Sequence, residues 1–232
     1  MAYALNSANS RYLTFGGSSS LAFENNQPMT LSGWFFFPTL TNGGVYQLFN
    51  KQLNSGTAAG WNMAFLYQFN LSNGGINNWL SFAKRNQFGN DANASAVFTF
   101  ASNTWVHCCV SMSNSTNATA IAHYGNGQQL TSVIQANTLT GSILNSVAPQ
   151  INGRNGANNM NAFNAAEIGV YNATLTAAEI ASLANGMTCD KVRPQSLVFY
   201  APLVRDLTDQ KGGLTITNNN GATVATHTRV YA

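Results

Sequence analysis

The chain has 232 residues, a formal charge of +3 and only 7% charged side chains, so Asn, Ser, Thr, Gln and Gly carry its polarity. Its basic residues are scattered, with Lys84-Arg85 the one adjacent pair, which excludes a surface built to neutralise phosphates and hence a nucleic-acid partner. A hydrophobic content of 45%, with 11% aromatics spread along the chain, excludes disorder and suits one large β domain or two small ones.

Short runs with period-2 alternation, separated by Gly- and Asn-rich turns, follow one another along the chain. Tyr12 to Phe15 reads as a strand ending at Gly16-Gly17. Met29 to Phe37 is the strongest strand signal; its second half is apolar on both faces, and Pro38 stops it. Val45 to Lys51 follows the Asn42-Gly43-Gly44 turn, and Trp61 to Phe69 alternates through Trp61, Met63, Phe65, Tyr67 and Phe69. Trp79 to Phe82 comes after Asn73-Gly74-Gly75, and Val97 to Phe100 after a polar loop. Trp105 to Met112 places Trp105, His107 and Cys109 on one face and Val106, Cys108, Val110 and Met112 on the other. Ala120 to Tyr124 with Asn126-Gly127 reads as a hairpin element. Ile151 to Gly153 precedes an Asn-, Gly- and Ala-rich loop over 154–162.

A strand over Glu167 to Tyr171 then leads into one short helix near 176–185. Thr176 and Glu179 have capping-box spacing, Leu175 and Ile180 have staple spacing, and Asn185-Gly186 supplies the stop. About a dozen short strands with one helix predict an all-β sandwich or jelly roll, and no fixed-period repeat points to a propeller or solenoid.

The segment MAYALNSANSRYLTF has no apolar run of secretory length, and no stretch approaches the roughly 20 apolar residues of a membrane-crossing helix. The expectation is synthesis in the cytoplasm without a signal peptide, and no membrane partner. Cys108, Cys109 and Cys189 make an odd set without a disulfide framework, so free buried thiols are expected.

An all-β glycosidase with both of its carboxylates on one strand would hold them roughly 5 Å apart for retention. The acidic residues are Glu24, Asp91, Glu167, Glu179, Asp190, Asp206 and Asp209, and they form no such pattern. Glu179 is half of the capping box, and Glu167 reads as structural, so no enzyme is expected. Asp206 and Asp209 are the only close acidic pair; calcium would need about six to eight oxygens, and Asx-turn roles before Gly212-Gly213 fit better. His107, His123 and His227 lack zinc spacing. No cofactor or metal is expected. Carbohydrate binding would use aromatic faces for stacking and amides for hydroxyls, and the candidates are Trp61, Asn77, Asn78 and Trp79, each of which also fits a core or strand role.

The order of the elements resembles the laminin-G-like, concanavalin-A-like lectin/glucanase jelly-roll superfamily over roughly residues 12–186. The matching pieces are LTFGG at 13–17, MTLSGWFFFP at 29–38, LFNK at 48–51, WVHCCVSM at 105–112, HYGNG at 123–127, ING at 151–153 and AAEIGVYNATLTAAEIASL at 165–183. The last is the most specific. Glu167 stands where the family has a strand glutamate, with Ala166 where an Asp usually precedes it. The resemblance implies a concanavalin-A-like sandwich of two antiparallel sheets, with a core over 1–187. The 188–232 tail looks like what usually precedes the first strand of the superfamily. It is expected either to complete the same sandwich or to pair with a neighbouring subunit. The run LVFYAPL with GATVATHTRVYA also resembles jelly-roll proteins of bacteriophages and prophages. That implies a non-enzymatic virion structural protein, a capsid decoration (cement) protein or tail-associated appendage, made in the host cytoplasm. Its implied partners are other virion proteins and further copies of itself. The alternative is a carbohydrate-binding, receptor-binding module on a virion or cell surface.

Overall fold

A computed structural model describes residues 2–5, 10–17, 19–53, 59–87, 89–155, 161–204 and 206–227. The first strands are β1 (Ala2–Leu5), β2 (Tyr12–Phe15), β3 (Met29–Phe36), β4 (Gly44–Gln52), β5 (Gly60–Leu71) and β6 (Gly75–Gln87). Next come β7 (Asn90–Val97), β8 (Trp105–Met112), β9 (Ile121–Gly125), β10 (Gln128–Leu130), β11 (Ser132–Asn137), β12 (Gln150–Ile151) and β13 (Phe163–Tyr171). The helix α1 (Ala177–Ala184) precedes β14 (Leu197–Ala201), β15 (Ile216–Asn219) and β16 (Thr223–Ala225).

These strands form two antiparallel eight-stranded sheets. The first runs β10-β9-β8-β3-β13-β1-β16, with β14 also pairing β13. The second runs β11-β7-β6-β5-β4-β12-β2-β15. Their inner faces supply one core, in which Phe15, Phe35, Phe37, Phe49, Phe65 and Phe199 meet mostly edge-on or tilted. The architecture is thus the concanavalin-A-like jelly-roll sandwich with a single α-helix among the described residues.

Alternation decides which side chains enter that core. On β3, Leu31 and Phe35 point inward while Thr30, Ser32, Trp34 and Phe36 take the outer face. The alternation expected over Trp61 to Phe69 breaks. Trp61, Met63 and Phe65 are in the core, but a register shift between Leu66 and Phe69, with Gln68 at φ +47°, moves Phe69 to the outer face beside Leu66 and Trp79. The strand expected at Val97 to Phe100 instead occupies Asn90–Val97, and Phe98 and Phe100 reach the core from the following loop.

Residues of the tail contribute to both sheets. β14 pairs β13, β15 pairs β2 from Ile216↔Phe15 to Asn219↔Tyr12, and β16 pairs β1. Helix α1 lies where Thr176 and Glu179 predict it. The Thr176 hydroxyl accepts from the Glu179 amide, the Glu179 carboxylate accepts from the Thr176 amide, and Gly186 at φ +97° ends the helix.

Candidate functional site

The outer face of the first sheet is divided into a closed half and an open half. The closed half is sealed by α1 and the turn after it: Leu175, Ile180, Leu183, Cys189 and Val192 pack over Cys109, Tyr124, Tyr171 and Tyr200. Arg193 holds this cover down, donating from Nε and Nη2 to Glu179 at 2.8 and 2.6 Å and from Nη1 to the Thr174 carbonyl at 2.9 Å. Glu179 therefore serves the cap and this ion pair together, which keeps its carboxyl below the usual range despite partial desolvation.

At the boundary lies Glu167. Ala166 pairs Trp34 and Gly169 pairs Ser32, so β13 bulges between them, with Glu167 at φ +53°. The bulge aims the Glu167 amide at the Pro202 carbonyl, 3.0 Å away, and its carboxylate at the Tyr200 hydroxyl, which donates to it. Burial pushes the carboxyl up to about 7. A buried acid near neutrality on a strained backbone is a familiar mark of a functional site. Here its partner is the phenol of Tyr200, on the same outer face beneath the helix cover.

The open half is aromatic. The β3–β8 register sets Trp34 opposite His107 and Phe36 opposite Trp105. Trp34, Phe36 and Trp105 are half-buried, and Phe36 and Trp105 lie 5.6 Å apart between centroids. Beneath them His107 is 1% exposed. Its Nε2 is 2.9 Å from the Ser32 hydroxyl, its ring is 5.4 Å from Trp34, and its Nδ1 has no partner. Burial lowers its pKa to about 3, so this imidazole is neutral at ordinary pH. The tail reaches the same place: the His227 ring stands edge-on to Trp105 at 4.4 Å and 85°, and 6.4 Å from Trp34. Such a surface offers π faces, without an ionised side chain among these five, to a neutral ligand with a C–H-rich face.

The four residues expected to contact glycan lie elsewhere and do not present a ring to solvent. Trp61 is 1% exposed, faces the core edge-on to Phe49, and donates from Nε1 to the Leu21 carbonyl. Trp79 is also 1% exposed, because the β5–β6 turn closes on it: a Cβ on Gly74 would meet its ring at 2.4 Å, and its Nε1 donates to the Phe69 carbonyl. Asn78 is buried, its Oδ1 accepting from the Gln68 amide and Nε2, and half-buried Asn77 donates to the Gly74 carbonyl. Trp61 thus went to the core and Trp79 to the outer face of the second sheet beneath its own turn, and neither ring has an open face for stacking.

The remaining candidates have structural roles. Asp209 organises a turn, accepting from the amides of Tyr200, Lys211, Gly212 and Leu214, while Asp206 is exposed. No group of three or more His, Cys, Asp or Glu converges to hold a metal among the described residues. His123 is buried with Nδ1 2.8 Å from the Ser132 hydroxyl, and Cys108, Cys109 and Cys189 are free and buried. A cavity of about 410 Å³ between the 21–28 loop and the Asp209 turn is lined mainly by Leu21, Phe23, Pro28, Val198 and Leu214, together with Gln27.

A model of the concanavalin A-like lectin/glucanases superfamily matches residues 7–181. No curated protein sequence matches the chain. Among solved structures, a Bacteroides ovatus protein named as a candidate carbohydrate binding protein superposes with a TM-score of 0.62 at 14% identity, over 96% of this chain and 58% of that one. The binding domain of Paraclostridial Mosquitocidal Protein 1 gives 0.56 at 21%, over 79% of this chain and 43% of that one. The heptameric SAP-like pentraxin of Limulus polyphemus gives 0.51 at 10%, over 92% and 93%. The chain thus spans about half the length of the first two, and at these identities the likeness is one of fold. With three quarters of its sequence matched and both sheets in place, the chain belongs to the concanavalin A-like lectin/glucanases superfamily.

Proposed function

We propose that the protein is a non-enzymatic carbohydrate-binding module that takes its ligand on the open half of the first sheet. The observation that carries this is the cluster of Trp34, Phe36 and Trp105, half-buried side by side on an outer sheet face where strand register, not chance, aligns them. A patch of large aromatic rings on a surface marks a binding site. The low charge of the chain favours a neutral ligand with hydroxyls over an ionic one. Carbohydrate binding in the name of the Bacteroides ovatus protein and the binding role of the mosquitocidal-protein domain lend support. Glu167, the most acid-like group, is engaged by Tyr200 and sits in a β-bulge, which favours a structural role. Glycan-array screening followed by titration calorimetry tests the reading: Trp34→Ala and Trp105→Ala should each weaken binding roughly tenfold or more. Retained affinity in both folded variants would remove the platform from consideration.

A second proposal, a virion structural role with self-association, is favoured by a different surface. Val45, Leu66, Trp79 and Val97 align across the outer face of the second sheet, with Val97 44% exposed. Mass spectrometry of purified virions tests it, and absence of the chain from every particle would count against it.

A further inference from the structure

The aromatic platform carries a cover from its own chain. β16 lies at the edge of the first sheet, separated from β3 by β1 and β13. Ala225 pairs Ala2 there, and Tyr3 pairs Ala165 next to the bulge, so the end of β16 is level with Trp34 on β3. Two residues later His227 lies against Trp105 and Trp34. The chain therefore turns from the sheet edge onto the outer face and sets one imidazole over the rings that the proposed function assigns to the ligand.

This cover is weakly held. Among the described residues β16 is three residues long and pairs only with β1, and its Val224 is 48% exposed. The Nε2 of His227 is buried without a partner, and burial lowers the pKa of the ring to about 4. The cost of an unpaired buried ring nitrogen is of the same order as the gain from edge-on contact with two indoles. Docked and released positions of His227 therefore lie close in free energy, unlike the positions of α1, whose contacts all act in one direction.

We infer that His227 is a displaceable strap: its imidazole occupies in cis the place of a pyranose ring on Trp34 and Trp105, and a glycan binds by displacing it. This rests on the platform being the ligand-binding face. It makes apparent affinity depend on the fraction of molecules whose platform is uncovered.

The test uses the full chain and its tryptophan fluorescence. Of the four tryptophans, Trp61 and Trp79 are both 1% exposed, so the fraction quenched by acrylamide reports Trp34 and Trp105. His227→Ala should raise the quenched fraction and tighten binding of methyl β-glucoside, methyl β-galactoside or methyl α-mannoside roughly three- to tenfold, about the factor an aromatic contact supplies. His227→Phe, a ring with no nitrogen to satisfy, should lower both. Unchanged quenching in His227→Ala overturns the strap whatever the ligand. Increased quenching with weaker glycoside binding also overturns it, by making His227 a ligand contact. Increased quenching with no glycan bound by either form upholds the strap and overturns the carbohydrate reading alone.

Discussion

One sheet face, two covers: helix α1 closes the end of the first sheet that carries Tyr171 and Cys109, and a single histidine lies over the end that carries Trp34 and Trp105. The helix brings a reciprocal cap, a two-pronged Arg193–Glu179 contact and a continuous apolar seam. The histidine brings ring contacts and an unmet nitrogen. Equal sheet surfaces thus receive unequal protection. Where a sheet must simply be kept dry, the chain spends a capped helix on it; where the rings stay partly open, the cover is a tail.

The largest effect expected from disturbing this contrast is on the helix side. Ile180→Ala removes a fully buried side chain from the seam and should cost about 2–5 kcal/mol in urea denaturation, against about 1 kcal/mol or less for Trp105→Ala on the half-exposed side. Equal costs would mean that the two halves are alike and that Trp105 is core.

A smaller and pH-dependent effect belongs to the boundary. The Glu167 carboxyl is raised from 4.5 to about 7, so the folded state holds its proton more tightly than the unfolded one. Its stabilising contribution is complete below about pH 4.5 and is lost as pH rises through 7, a change on the order of 3 kcal/mol. Glu167→Gln should accordingly gain on the parent protein between pH 5 and pH 8 in urea midpoints. His107 acts in the opposite sense: its pKa falls from 6.5 to about 3, so its contribution is present above 6.5 and lost on acidification. A Gln variant whose difference from the parent is constant across pH would show that the bulge does not hold a proton.

Much of the fold was legible because large side chains announced it. Alternation in β3 and β8, and the Thr176–Glu179 box, left little freedom. β7 was hidden because its inward residues are Ala92, Ala94 and Ala96, between Asn93 and Ser95, which read as a polar loop. Phe69 was assigned to the wrong face because the Gln68 shift leaves no trace in the pattern. The platform was half legible: Trp34 and Trp105 each sat on an expected strand, but their adjacency depends on the pairing of β3 with β8. Trp61 and Trp79 were the more conspicuous candidates in Gly-rich surroundings, and of those glycines Gly74 lets the backbone close over the Trp79 indole. Nothing in the residues around His227 foretells that it crosses two strands.

The placement of β1 has a consequence for the order in which the molecule is made. Residues 2–5 pair with Phe163–Ala165 on one side and with Thr223–Ala225 on the other, and Tyr12–Phe15 pairs with Ile216–Asn219. A ribosome releases those first strands long before their neighbours exist, and the loop closure that joins them spans nearly the whole chain. Neither sheet reaches its full width until the last strands have emerged. Folding is therefore expected to be slow, with the two earliest strands waiting, edges unpaired, for the latest ones.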